Sequence, residues 1–187
     1  FTNHSTDEAV IKAQVFALGG VSAYSTYNPT ESDNHGNITF GGSYVGYRAF
    51  IGGVHADGIT QNIFPDPGVV NNGDITISEG AVIDITQLYL GGICGGTERT
   101  TEMTSATNNG NIFINGTVTG VVRLGGITGY RNNICSGSIV NNGNITFGKS
   151  STIGGDSFIG GVFGYMTNST TDSVFKDLVN NGKITFN

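Results

Sequence analysis

VNNGNITF, at 140–147, is the stretch whose reading decides the fold. It recurs as DNHGNITF at 33–40, VNNGDITI at 70–77, TNNGNIFI at 107–114 and VNNGKITF at 179–186. Its glycine falls at 36, 73, 110, 143 and 182, in steps of 37, 37, 33 and 39. Recurrence at about 36 residues, with small changes of length, marks an array in which each repeat is one structural unit. After the glycine, apolar and polar residues alternate, which is the period of a strand with one buried face. Ile38, Ile75, Ile112, Ile145 and Ile184 then form one inward column. Phe40, Ile77, Ile114, Phe147 and Phe186 form a second, and Thr39, Thr76, Phe113, Thr146 and Thr185 an outward one.

A second phrase alternates with the first: LGGVSAY at 18–24, IGGVHAD at 51–57, LGGICGG at 90–96, LGGITGY at 124–130 and IGGVFGY at 159–165. Paired glycines at a fixed place predict a crowded bend or a close approach between coil backbones. The Asn-Gly step before each strand is a turn signal, and both residues tolerate positive φ. Asn71, Asn108, Asn141 and Asn180 share one repeat position, so their amides are expected to stack into a hydrogen-bonded ladder. The expected fold is therefore all-β: a parallel β-helix, or β-solenoid, of five repeats of about 36 residues in one domain spanning 1–187. We expect one coil per repeat with about three short strands; two smaller coils per repeat fit the same arithmetic. Both ends of such a stack are open sheet edges. The chain starts at Phe1 in the phase of Phe40 and stops just past that phase, so a segment of a longer array is the expectation.

The first residues read two ways. Ser5 with Glu8 resembles a capping box, and the run that follows has helix-compatible residues. Yet AVIKAQVFALGG at 9–20 aligns without a gap to AVIDITQLYLGG at 81–92, and the second copy is β-branched. Two copies in one register predict one structure, a strand.

Composition narrows the function classes. Charged residues make up 12 % of the chain and Gly numbers 31, without the three-residue period of collagen. The net charge is -6, and the eight Lys and Arg are scattered singly, a poor footprint for nucleic acid. No apolar run reaches membrane-spanning length, and the alternating strands lack the apolar outer face of a membrane barrel. Cys94 and Cys135 are the only cysteines. Stacked neighbouring coils could bring them together in a disulfide, and two separate buried thiols fit equally.

Chemistry-bearing patterns are sparse. The 14 acids do not recur at one repeat position, His4, His35 and His55 lack metal-ligand spacing, and no Gly-x-Ser-x-Gly elbow occurs. No catalytic residue, metal or cofactor is expected. Asp57, Asp66 and Asp74 are the acids that adjacent turns could bring together, with solvated loop charges the leading reading; Asp57 and Asp66 are kept as candidate glycan or partner contacts. Tyr24, Tyr130 and Tyr165 end three of the second phrases and form a candidate aromatic strip for a glycan or protein partner. The loops at 22–33, 55–69, 97–106, 131–138 and 166–177 vary in length and are where specific binding is expected.

The segment IGGVFGYMTNSTTDSVFKDLVNNGKITF at 159–186 resembles the GLUG-type repeat of bacterial surface proteins. LGGITGY with VNNGNITF repeats that pattern at 124–147, and the other copies match it in part. The resemblance implies β-solenoid modules of large secreted or cell-surface proteins, adhesins among them, without catalytic residues. The leading expectation is a non-catalytic structural or adhesive module outside the cell. Its partners would be neighbouring repeats, other subunits met at the solenoid ends, or glycan. The competing class is a carbohydrate-binding or carbohydrate-active β-helix protein.

Overall fold

The structure is a computed structural model and describes residues 10–24, 32–57, 68–97, 103–132, 135–167 and 177–187. Among these every regular element is a strand, and the strands pair in parallel. Partners lie one repeat apart: Ile38 with Ile75, Ile75 with Ile112, Ile112 with Ile145, Ile145 with Ile184. One repeat is thus one coil passing over four faces, and the reading of two coils per repeat is excluded. The long face comes first, as Val10–Gly19 and then Ser43–Gly52. In the next coil a bend splits it into Val82–Asp84 and Gln87–Gly91. The Gly-Gly bend leads to a return face, as in His55–Asp57 and Thr128–Asn132. The asparagine face follows, as in Val69–Asn71, and the Asn-Gly turn passes to the Ile-Thr-Phe face, as in Ile75–Ile77. The last three faces each stack five strands, enclosing about four turns. A coil therefore carries four or five short strands, more than the three expected, because each corner breaks the ladder.

Val10–Gly19 is a strand and pairs with Ser43–Gly52. Leu18, Ile51 and Leu90 share one register, which is the alignment of residues 9–20 with 81–92 seen in the sequence. Neighbouring repeats thus override the local helical signal.

Three apolar layers result. The main core lies between the long face and the Ile-Thr-Phe face, where Ile75, Ile112, Ile145, Ile77, Ile114 and Phe147 meet Ile51, Leu88, Leu90 and Leu124. The second lies between the return and asparagine faces, and joins Val54, Ile93, Ile127, Met103 and Ile139. A small third layer, Phe50, Ala56 and Tyr89, lies between the long and return faces. Each fully buried side chain of this kind is worth about 1.5–3 kcal/mol, so each coil stabilises itself only by stacking on the next.

The two recurring phrases meet at a waist between the main and second cores. Asn34 Nδ2 donates to Asn71 Oδ1, Asn71 to Asn108, Asn108 to Asn141 and Asn141 to Asn180, each at 2.8 Å. The second Nδ2 proton of each goes to the carbonyl of the phrase glycine two residues on, as in Asn108 to Gly110 at 2.8 Å. The ladder expected at four positions thus has a fifth member, Asn34, in the divergent DNHG copy. Asn71, Asn108 and Asn141 are buried. The second glycine of the Gly-Gly phrase stands against this ladder. A methyl group at Gly53 would lie 2.5 Å from Asn71 Cγ, and Gly92, Gly126 and Gly161 are as tight against Asn108, Asn141 and Asn180.

The glycine of the Asn-Gly phrase has a different reason from the one expected. Positive φ is confined to Gly68, Gly80, Gly155 and Asp177 among the described residues. Gly73, Gly110, Gly143 and Gly182 instead stack on the carbonyl of the equivalent glycine one coil earlier, where a Cβ would collide with backbone. Coil spacing, not turn conformation, excludes a side chain there.

Two substitutions test the waist. Asn108→Ala removes two ladder bonds and orphans buried amide groups on Asn71 and Asn141, so urea unfolding should show a loss of about 2–4 kcal/mol. Asn180→Ala, on the exposed last coil, should cost under about 1 kcal/mol. Gly92→Ala should disrupt the fold outright. Gly80→Ala has open space around it, and should cost only the roughly 1–2 kcal/mol of a left-handed backbone.

Candidate functional site

The return face carries the tyrosines singled out in the sequence, and the structure unites two of the three. Tyr24, Asp57, Gly96, Tyr130 and Tyr165 share one register column. Tyr130 and Tyr165 stack with ring centroids 5.9 Å apart and planes 19° apart. Tyr24 is separated from them by the Asp57 and Gly96 rungs and is 60 % exposed. Asp57 sits in the strand His55–Asp57, with its side chain outside the described residues, as is all of Asp66.

Residues from the long face complete the strip. Tyr89 leans over the space left by Gly96 and lies 5.4 Å from Tyr130 and 4.9 Å from Phe50. Phe158 meets Tyr165 edge-on at 5.0 Å. Arg123 lays its guanidinium over the rings, with Cζ 4.4 Å from the Tyr165 centroid, 5.1 Å from Tyr130 and 5.2 Å from Tyr89. Its Nη1 donates to Tyr89 Oη at 2.9 Å, and Tyr89 Oη donates to Gln87 Oε1 at 2.6 Å. Arg48 flanks the far side of Tyr89, at 5.5 Å. Tyr130 Oη is 3.3 Å from Thr167 Oγ1. Tyr130, Tyr165 and Arg123 are half-buried, so the strip has one wet edge. Phe50, Tyr89, Arg123 and Phe158 escaped the sequence reading, although their positions one residue before the strand's last leucine or isoleucine recur in every repeat.

Cys94 and Cys135 are both buried thiols in the second core, and Cys94 Sγ donates to the Gly96 carbonyl at 3.7 Å. His55 is buried at the register position occupied elsewhere by Ser22, Cys94, Thr128 and Phe163. Desolvation lowers its pKa to about 4. Burial likewise raises that of Tyr44, whose hydroxyl lies 2.9 Å from the Arg48 carbonyl and 3.1 Å from that of Ala13, with one proton to share between them. Among the described residues no three His, Cys, Asp or Glu side chains gather as a metal site, and no helix is long and apolar enough to cross a membrane.

A second polar array covers the outer corner. Asn109 donates to Asn72, Asn142 to Asn109 and Asn181 to Asn142, each at 2.8 Å, with His35 ending the row. Beside it the Asn37, Asp74, Asn111 and Asn144 side chains accept from the backbone N–H one coil later, at 2.7–3.0 Å. These groups are occupied by one another, so the corner is a brace more than a docking surface.

His55 makes stability pH-dependent. Its folded pKa lies below the unfolded value near 6.5, so the unfolded chain binds the proton more tightly. The neutral-His contribution is whole above about pH 6.5 and is lost as pH falls toward about 4, by up to about 3 kcal/mol. Urea midpoints at neutral and acidic pH should converge for His55→Phe, which carries the side chain the repeat itself uses at Phe163, and diverge for the wild-type chain.

No protein-family model, no curated protein and no solved structure matches this chain.

Proposed function

We propose that this chain is a non-catalytic structural and adhesive repeat module of an extracellular, cell-surface protein, of the kind the GLUG-type resemblance implies. The observation that carries the reading is the continuity of the columns from coil to coil. Asn71, Asn108 and Asn141 pair in one register, as do Ile75, Ile112 and Ile145, so each coil receives the next on the same surface that it presents itself. Asn180, Ile184 and Phe186 continue those columns, and Phe186 stacks on Phe147 at 4.6 Å. A surface that repeats in this way supports stacking against another coil of the same kind. The partner is thus another protein surface, a neighbouring repeat or a second copy.

Sedimentation velocity over a wide concentration range tests this. The chain should self-associate in proportion to concentration. Ile184→Lys with Phe186→Glu should hold it monomeric while leaving its far-ultraviolet circular dichroism intact. A chain that stays monomeric throughout, or associates equally with the charged end, would contradict the stacking role.

A further inference from the structure

We propose that Arg123, together with Tyr130 and Tyr165, forms a binding site for the carboxylate of an acidic sugar residue. The argument starts from the repeat itself. Ala17, Phe50, Tyr89, Arg123 and Phe158 occupy one register position on the long face. Four of the five coils place an apolar or aromatic side chain there, so the fold does not ask for a charge. A residue that departs from a local rule marks function more often than folding.

The surroundings sharpen the point. A half-buried cation ordinarily draws a carboxylate, because unpaired charge is costly away from water. Among the described residues Arg123 has none within ion-pair distance: its contacts are the Tyr89 hydroxyl and three tyrosine rings. Its Nε is buried with no hydrogen-bond partner among the described residues. The rings offset part of the charge through their negative faces, yet they accept no N–H of the guanidinium fork in its plane. A carboxylate taken bidentate by the Nη groups supplies the missing counter-charge, and guanidinium geometry is matched to it.

The setting selects a sugar over a peptide. The return-face strands pair on both sides through Cys94–Thr97 and Thr128–Asn132, so no extended peptide can add as a strand beside Tyr130. Recognition there falls to side chains. The strip offers tyrosine rings, the Tyr130 and Thr167 hydroxyls 3.3 Å apart, and the Gln87 amide, groups suited to a polyhydroxylated ring. This site lies on the side of the solenoid and does not depend on stacking at its ends.

The test uses the intact chain and an oligomer of galacturonic acid, with its methyl ester as the uncharged control. Arg Nε–H and tyrosine ring resonances are followed by NMR at low salt. The acid should shift the Arg123 Nε–H and the Tyr130 and Tyr165 ring signals in a saturable way, with at least about tenfold weaker binding for the ester. Added salt should weaken the interaction. Arg123→Phe, the side chain the repeat uses at Phe50 and Phe158, should fold normally and lose binding by at least about tenfold. Arg123→Lys, which keeps the charge without the fork, should fall between. Equal shifts from acid and ester, binding retained by Arg123→Phe, or no shift at all would overturn the proposal. Equal shifts from poly-glutamate would replace the sugar by an acidic peptide.

Discussion

The contact on which everything else depends is an asparagine amide pressed against a glycine. At the waist of each coil the Asn side chain leaves no room for anything but the second glycine of the Gly-Gly phrase opposite it, and that glycine lacks a methyl group because the amide occupies the space. The two phrases are therefore one device, split across 14 to 19 residues of chain. The waist divides the interior into two cores, and it buries a polar group only because that group is satisfied on every side. Each Asn in the middle coils gives two protons, one to the next amide and one to a glycine carbonyl, and accepts from the amide before it. A buried amide with any one of these missing would cost more than the bond contributes.

Lengthwise continuity follows from the same contact. The inner ladder runs with each Nδ2 donating toward the later coil, while the outer Asn72–Asn109–Asn142–Asn181 row donates toward the earlier one. The two rows of side-chain dipoles are opposed along the axis. Such an interior makes the coil number indifferent to energy per coil and leaves the cost at the ends.

Much of this was legible in the sequence, for a physical reason. Stacking forces equivalent residues into identical environments, so Ile38 through Ile184 and Asn71 through Asn180 announce their columns by recurrence alone. The same logic identified residues 9–20 as a strand against a helical local signal. What recurrence does not report is conformation or contact between different columns. Positive φ was inferred for the Asn-Gly step from residue preference, whereas the glycine answers to the coil beneath it. The strip was half visible for the same reason. Tyr130 and Tyr165 lie in a recurring phrase, but Tyr89 and Arg123 reach them only because the return face folds back over the long face. Tyr24 has the right residue type at the right repeat position, and is isolated by Asp57 and Gly96 in the two coils between.

The most direct measurement of the central claim is hydrogen exchange of the asparagine side-chain amides by NMR. If the ladder is the buried spine of the solenoid, the Nδ2 protons of Asn71, Asn108 and Asn141 should exchange only with global unfolding. Those of the outer Asn72, Asn109 and Asn142 and of the terminal Asn180 should exchange far faster. Equal and rapid exchange of all these amides would mean that the waist is open to water and that the coils are held together by something else.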